Sequence, residues 1–433
     1  MRSIFWLSFV LLLAGCGNGQ PAAPDGKAPA AGEGLRAAVS GPLATRFYEG
    51  RQWRTAWTPE TEAALTAAIN DAARHGLEGN DFLAPIGRAR TPAARDAALT
   101  LAALTYAGAL ARGRTDPAGL SEHYSVPRPD PDLAAGLNRA LAENGLGDWL
   151  AGLAPQDAEY RALSDAYLAT GRAATVAPGR PATAANRAAL EQARTLAVNL
   201  ERRRWLERTP PATRIDVNTG AATMTYWRDG AAVDSRRAVV GEPGKETPEL
   251  ASPLYRLVAN PTWTIPRSIQ NGELASKSAA YLRRNNMEMR DGWLVQKSGP
   301  RNSLGLVKFD MLNDQQIYLH DTPAKALFGQ DDRHASHGCV RIDDALGFAQ
   351  MIATDQGVLD QWREALATNE EAMVPLPRRI PVRLMYQTAF LANGRITFVP
   401  DAYGWDDKVA EALGLPSRPR SAAARRRAGD LGP

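Results

Sequence analysis

The hydrophobic periodicity of this 433-residue chain changes near residue 210, and this change limits the folds available to it more than any other feature. From about residue 35 to 170, apolar residues recur at helical spacing, for example over 93–111. After residue 210, short runs rich in β-branched and aromatic residues alternate with turn signals such as Asp229-Gly230. The pattern predicts a multidomain chain, with an all-α N-terminal domain at 35–170 and a β-rich α+β domain at 210–406.

Two basic segments flank the β-rich domain. Residues 171–209 combine a linker containing Gly and Pro with an Arg-rich amphipathic helix, which is predicted to bury an apolar stripe and expose its charges. Residues 407–433 include five arginines and are predicted to form a partly disordered tail. Because the net charge is only +4 and 44% of the residues are hydrophobic, the composition is that of a globular protein, and no nucleic-acid partner is expected.

The N-terminus resembles a bacterial lipoprotein signal. Residues 1–16 carry a positive charge, then an apolar stretch too short to span a bilayer, and end in Leu-Ala-Gly-Cys at Cys16. This ending is similar to a lipobox, which implies cleavage and lipidation at Cys16; a cleaved signal with a chance cysteine is the alternative. Residues 17–34 are predicted to form a flexible tether. Because Gly17 and not Asp follows the cysteine, the expected location is the periplasm, lipid-anchored at the inner face of the outer membrane.

Reactive residue types concentrate at 318–342. This stretch holds three of the five histidines and one of the two cysteines: His320, His334, His337 and Cys339. If Cys16 carries lipid, Cys339 has no disulfide partner within the chain. A helix predicted to begin four residues after Cys339 would favour its thiolate, and a nearby histidine could take its proton. Gly338 permits a tight turn whose backbone N–H groups could face an oxyanion.

Three interpretations of these residues remain open on their chemistry alone. The first is a cysteine acyl-transfer site. The second is a metal site formed by His334, His337 and Cys339 together with His320, although the spacing His-x-x-His-x-Cys matches no usual zinc pattern. The third is a structural turn at Gly338 beside an inert, buried Cys339.

A family resemblance favours the first interpretation. His320 followed by the segment 336–341, Ser-His-Gly-Cys-Val-Arg, resembles the signature of the YkuD-type L,D-transpeptidase catalytic domain. Segments 260–266, 302–309 and 317–323, with a hairpin ending at 401–404, are similar to the long multidomain YcbB-like branch of that family. The resemblance implies a scaffold domain for the helical region and an L,D-transpeptidase catalytic domain for the β-rich region. It also implies that a helical insert at about 271–296 caps the active-site cleft.

In this family the cysteine, here Cys339, attacks the carbonyl of the third residue of a peptidoglycan stem peptide and releases the terminal D-Ala. The thioester then passes to the side-chain amine of another stem, which makes a 3-3 crosslink. The resemblance implies His320 as the base and His337 as its support, with the reverse assignment as the alternative. The resemblance and the local chemistry together suggest a further group of residues as substrate-binding or local partners: Tyr318, Ser336, Gly338 and Arg341. Arg341 could instead form a structural ion pair.

The resemblance implies peptidoglycan stem peptides as partners, carbapenems as acylating inhibitors, and neither a cofactor nor a metal. The branch usually carries a peptidoglycan-binding domain between scaffold and catalytic parts, and residues 171–183 leave no room for one. Two related reactions share the acyl-enzyme: L,D-carboxypeptidation by water, and attachment of a protein amine to the wall. An alternative of another class is a catalytically inactive, lipid-anchored wall-binding scaffold.

Overall fold

The computed structural model describes residues 32–121, 124–175, 181 and 183–416. The predicted signal segment with Cys16, most of the 17–34 tether and all five arginines of the C-terminal tail lie outside the described residues. Within the part of the chain that the structure describes, no helix is both long enough and apolar enough to cross a membrane.

The N-terminal domain consists of helices gathered around one long central helix. They are α1 (Glu33–Ala38), α2 (Pro42–Gly50), α3 (Pro59–Asn70), α4 (Gly79–Arg88), α5 (Pro92–Arg112), α6 (Pro117–Leu120), α7 (Leu133–Ala142), α8 (Leu146–Leu153) and α9 (Ala158–Ala174). The central helix α5 starts where the Thr91 hydroxyl accepts a hydrogen bond from the Ala94 N–H, and Gly113 follows its last turn. Most of its Leu and Ala side chains are buried against the surrounding helices, although Leu101 is exposed. The predicted all-α domain is confirmed.

The C-terminal domain is rich in strands. They are β1 (Arg214–Asn218), β2 (Thr223–Arg228), β3 (Ala231–Gly241), β4 (Leu250–Ala259), β5 (Trp263–Thr264), β6 (Met287–Arg290), β7 (Trp293–Gln296), β8 (Val307–Met311), β9 (Leu319–His320), β10 (His334–Ser336), β11 (Val340–Ile342), β12 (Ala372–Met385), β13 (Ala389–Ala392) and β14 (Arg395–Phe398). The helices from the domain junction onward are α10 (Ala184–Trp205), α11 (Arg267–Asn271), α12 (Ala279–Arg284), α13 (Ala345–Asp355), α14 (Leu359–Ala367) and α15 (Trp405–Ala412). This mixture confirms the predicted β-rich α+β fold.

The main sheet closes on itself. Among the described residues its strand order is β10-β3-β11-β9-β8-β4-β12-β1-β2, and β3 also pairs with β2. The long strand β3 makes closure possible because its first half pairs with β2 and its end pairs with β11 and β10. Alternate residues of the strands fill a common core, which includes Leu257, Phe309, Leu319 and Val340. Helix α13 covers this core through Phe348, whose ring centroid lies 5.4 Å from that of Phe309.

The insert at 271–296 was predicted to be helical, but the structure shows only a short helix there, together with two strands. It contains the short helix α12 and the hairpin β6–β7, and β5 joins this hairpin to form a small separate sheet. The hairpin turn is Asp291-Gly292, where both residues have positive φ, as the preferred two-residue hairpin turns require. Together with α11 these elements form the cap, residues 262–296. The cap has its own hydrophobic cluster, which includes Trp263, Ile269 and Leu274.

Helix α10 was predicted to expose its charges, and that prediction is wrong for the part from Arg194 onward, where Arg194, Arg202 and Arg204 are buried. It packs on α5 and α9 on one side and on α15 and β13 on the other, so it runs between the two domains. Arg202 forms an ion pair with Asp406 of α15 at 2.5 Å, and Arg204 forms one with Glu201 at 2.6 Å. All four side chains are almost completely buried. Charges in this position are tolerated because each one meets an opposite charge or a hydrogen-bond partner.

The C-terminal tail also begins later than predicted. Helix α15 spans Trp405–Ala412, past the predicted boundary at residue 407, and its Val409 packs on Trp205 of α10. The folded domain therefore extends beyond its last strand, because the apolar side of α15 packs on α10.

We expect Asp406→Ala to lower the free energy of unfolding by about 3 kcal/mol, because it leaves the Arg202 guanidinium buried without its carboxylate. Asp406 also accepts a hydrogen bond from the Thr388 hydroxyl, which would be lost as well. The matched control is Asp407→Ala, whose half-exposed side chain pairs with Arg194 and should contribute less than about 1 kcal/mol. Urea unfolding measures both variants. Equal losses would contradict a special role for the buried pair.

Candidate active site

Strand register places several reactive side chains on one face of the sheet. Strand β11, which begins directly after Cys339, pairs in parallel with β9, so that Val340 lies opposite Leu319 and Arg341 opposite His320. Because side chains alternate along a strand, Leu319 and Val340 point into the core. The other face therefore receives His320 and Arg341, and the same alternation extended by two residues brings Tyr318 and Cys339 to it. His320 and Cys339, which are nineteen residues apart in sequence, therefore lie on adjacent strands and on the same face of the sheet.

The turn before Cys339 is held by hydrogen bonds that run through Ser336. The Ser336 hydroxyl donates to the Cys339 carbonyl at 2.6 Å and accepts from the Gly338 N–H at 3.2 Å. The Thr247 hydroxyl donates to the Gly338 carbonyl at 2.8 Å. Gly338 has φ of +117°, a backbone conformation that other residues rarely adopt. The suggestion that the Gly338 N–H faces an oxyanion is therefore wrong, because Ser336 occupies that donor.

The Cys339 thiol is buried and neutral. Only 6% of the residue is exposed, and Sγ lies 3.7 Å from the Gln316 carbonyl oxygen, to which it donates. Burial raises the pKa of Cys339 to about 11, although the Tyr318 N–H and hydroxyl and the charges of Lys308 and Arg341 oppose the shift. The predicted helix-stabilised thiolate is therefore wrong. Strand β11 separates Cys339 from α13, which begins at Ala345.

His320 is fully buried and has a defined tautomer when neutral. Its Nδ1 lies 2.5 Å from the carbonyl oxygen of Asp321. A carbonyl oxygen only accepts, so Nδ1 carries the proton and the lone pair of the neutral ring is on Nε2. The ring of His320 meets the ring of Tyr318 edge-on, with centroids 5.7 Å apart. This arrangement leaves the imidazole ready to accept a proton at Nε2.

Asp321, which orients His320, is itself held by the segment 302–309. Its carboxylate accepts a hydrogen bond from the Leu306 N–H at 2.9 Å. A Cβ on Gly305 would lie 2.2 Å from that carboxylate, so only glycine lets the two segments approach this closely. Two of the segments that carried the family resemblance thus meet at the residue behind His320.

His337 belongs to a different network, which includes a carboxylate from the cap. Its Nε2 lies 2.6 Å from Oε1 of Glu273, and Nζ of Lys245 lies 2.7 Å from the same oxygen. Partial burial would raise the pKa of Glu273, but hydrogen bonds from Lys245 and His337 hold it below its ordinary value. The carboxylate accepts, so the proton of a neutral His337 is on Nε2. The two histidines therefore have opposite tautomers when neutral.

The site opens into a cleft of about 980 Å³ between the cap and the main sheet. Of the predicted site residues, Tyr318, His337 and Cys339 line it, whereas His320, Ser336, Gly338 and Arg341 do not. Ser336 and Arg341 are fully buried. In the structure Ser336 and Gly338 hold the turn, and Arg341 lies in the sheet close enough to Cys339 for its charge to act on the thiol. Because Arg341 is buried and does not line the cleft, the structure does not support its predicted contact with substrate.

Sequence reasoning missed three charged residues around the thiol: Lys245, Glu273 and Lys308. Nζ of Lys308 lies 4.4 Å from the centre of the Tyr318 ring and 2.6 Å from Oδ1 of Asp310. The sequence signal for Lys308 was its position in the alternating run 307–309. In the structure Lys308 pairs across the sheet with His320. Nothing in the sequence marked Glu273, because its contact with His337 spans 64 residues and depends on the cap.

His334 lies apart from the thiol. Its Nδ1 is 2.9 Å from Oδ1 of Asp332, and its Nε2 is 3.1 Å from the carbonyl oxygen of Thr219. Across the described ranges, no three His, Cys, Asp or Glu side chains are arranged to share a metal ion. The metal interpretation of His334, His337, Cys339 and His320 therefore has no geometric support.

Comparison with known proteins gives the family context. Residues 212–359 match the family model for the L,D-transpeptidase catalytic domain (YkuD), and residues 42–166 match that for a scaffold domain. A Haemophilus influenzae protein named as an L,D-transpeptidase is 27% identical over 316 residues, which are 67% of this chain and 61% of that protein. The chain thus matches less than two thirds of that relative's length.

Solved structures of L,D-transpeptidases also match part of the chain. One is from Mycobacterium smegmatis, with 13% identity, a TM-score of 0.23 and coverage of 40% of this chain and 58% of that chain. Another is in complex with imipenem, with 17% identity, a TM-score of 0.22 and coverage of 40% and 59%. Overlaps this limited add nothing to the domain assignment, which comes from the two family models. The chain therefore contains a scaffold domain at 42–166 and an L,D-transpeptidase catalytic domain of the YkuD family at 212–359, and this combination fits a multidomain architecture.

Proposed function

We propose that the protein is a murein L,D-transpeptidase that forms 3-3 peptidoglycan crosslinks through a thioester on Cys339. The observation that carries this proposal is the arrangement of the thiol. Cys339 lines a cleft large enough for a peptide, next to Tyr318 and on the same sheet face as a histidine whose Nε2 can take a proton. The match of residues 212–359 to the L,D-transpeptidase catalytic domain supports the choice of reaction class.

In the donor step, His320 Nε2 accepts the proton of the Cys339 thiol as the sulfur attacks the carbonyl of the third stem residue. The N–H and hydroxyl donors of Tyr318 face the sulfur, and we assign them to stabilise the negative oxygen that forms beside the sulfur in the tetrahedral intermediate. Collapse of the intermediate breaks the peptide bond, and the imidazolium of His320 returns the proton to the departing amine of D-Ala. The acyl group remains on sulfur as a thioester.

In the acceptor step, the side-chain amine of a second stem attacks the thioester and releases the thiol, which leaves the 3-3 crosslink. Water as the acceptor would give L,D-carboxypeptidation, and a protein amine would give attachment to the wall. We further propose that the protein acts in the periplasm, held by lipid on Cys16 at the inner face of the outer membrane. Nucleic acid, metal and cofactor play no part in the proposed reaction.

Incubation of the protein with tetrapeptide muropeptides is expected to give crosslinked dimers with loss of D-Ala, identified by mass spectrometry. Cys339→Ala is the control and should leave the substrate unchanged, because no other group in the cleft can form the thioester. Tripeptides without dimers would replace crosslinking by carboxypeptidation. Unchanged substrate with a folded wild-type protein would favour the inactive scaffold and refute the proposal.

A carbapenem such as imipenem is expected to acylate Cys339, with a mass increase on the intact protein that is absent in Cys339→Ala. His320→Gln should slow acylation by roughly 10²–10⁴-fold, because the proposed general base is lost. His337→Gln should slow it less, since His337 is proposed to support the turn. If His337→Gln has the larger effect, the two histidines exchange roles. An adduct that forms on Cys339→Ala would disprove the nucleophile assignment.

The neutral thiol predicts a steep pH dependence for simple alkylation. Since the pKa of Cys339 is about 11, the rate of its reaction with iodoacetamide should rise about tenfold per unit between about pH 7 and pH 10. Peptide mapping distinguishes Cys339 from Cys16, and a small free thiol serves as the control. A resting thiolate–imidazolium pair would instead give a flat profile near neutral pH, and that result would contradict the buried neutral thiol.

A further inference from the structure

The cap reaches the catalytic turn through one carboxylate, that of Glu273. Glu273 follows α11, and its neighbours Ile269 and Leu274 belong to the hydrophobic cluster of the cap. Its two partners lie on the other side of the cleft, Lys245 in the loop after β3 and His337 in the turn before Cys339. Any movement of the cap away from the sheet would carry the carboxylate away from both partners.

We propose that Glu273 is a positioning residue for His337 and that the cap supplies it only when closed. By accepting the Nε2–H of His337 at 2.6 Å, Glu273 sets the orientation and the tautomer of a ring that lines the cleft beside Cys339. Closing the cap over a bound peptide therefore also completes the catalytic turn. This inference rests on the proposed cysteine acyl-transfer function.

The surroundings of Glu273 fit a contact that can form and break. Its side chain is 34% exposed, so the carboxylate stays hydrated when the cap opens and does not become an unpaired buried charge. Lys245 is also bound to Glu242 at 3.0 Å, so this lysine keeps a partner on its own side of the cleft when Glu273 leaves. After opening, Glu273 is therefore hydrated and Lys245 keeps an ion-pair partner, so separating these two charges does not bury either of them unpaired.

The contact of Glu273 with Lys245 also connects the cap to the loop that supports the turn before Cys339. The loop that holds Lys245 also contains Thr247, whose hydroxyl donates to the Gly338 carbonyl and accepts from the Gly241 N–H at 2.9 Å. The cap carboxylate therefore reaches Cys339 by two short routes, through His337 and through the Lys245 loop. A residue whose only task was to stabilise the cap would not need to reach this turn.

The test compares Glu273→Ala and Glu273→Gln with Glu288→Ala. Glu288 is a matched control because it is a cap carboxylate with 38% exposure and two cationic partners, Arg290 and Lys297, but it does not line the cleft. We expect Glu273→Ala to slow imipenem acylation roughly 10- to 100-fold, the usual effect of misplacing a group near the reacting atoms. Glu273→Gln keeps a hydrogen-bond acceptor and should recover part of the rate. Glu288→Ala should react as the wild type does.

A second readout does not depend on activity. In protein labelled with ¹⁵N-histidine, the ring of His337 should hold its proton on Nε2 in the wild type and in Glu273→Gln, and lose that preference in Glu273→Ala. The signal is assigned from its absence in His337→Gln, and urea unfolding checks that each variant is folded. If the His337 signals and acylation rate of Glu273→Ala match those of the wild type, the proposal is overturned. If the wild type is not acylated at all, the proposed function fails, while the ¹⁵N readout still decides the role of Glu273.

Discussion

The parallel pairing of β9 with β11 is the constraint on which the site depends. It aligns His320 with Arg341 and, two residues earlier, brings Tyr318 beside Cys339. A shift of this register by one residue would turn Cys339 and His320 toward the core and move Leu319 and Val340 to the face that Cys339 and His320 now occupy. Core packing of those two residues against Phe309 therefore fixes the catalytic register as firmly as it fixes the fold.

Burial of the Cys339 thiol has a chemical consequence. A thiol with its pKa raised to about 11 reacts slowly with adventitious electrophiles at neutral pH. The proposed reaction therefore needs a base that acts during attack on the substrate. In the proposal this base is His320, whose Nδ1 is already held by the Asp321 carbonyl oxygen.

Helix α10 connects the two domains through polar contacts that are buried. Asn199 donates to the Thr388 hydroxyl at 2.8 Å and accepts from the Thr388 N–H at 2.9 Å, and Arg202 pairs with Asp406. Burial raises the pKa of the nearby Glu249 to about 7, although Arg202 and the Tyr386 N–H oppose the shift. Glu249 is the last residue before β4, in the segment that also carries Lys245 and Thr247. The domain junction and the catalytic loop thus share one short stretch of chain.

The sequence by itself determined the order of the domains, the strand-rich character of the second domain, and the segments around His320 and Cys339. These features follow from local periodicity and from short motifs, which neighbouring residues specify. It did not determine the buried charges of α10, because amphipathic spacing looks the same whether the polar face meets water or another domain. It missed strand β6 (Met287–Arg290), because the helical pattern was extended to residue 288 and the turn signal Asp291-Gly292 was not used. Only the tertiary structure decided the neutral state of Cys339 and the pairing of His337 with Glu273, because desolvation and contacts across 64 residues exist only after the chain has folded.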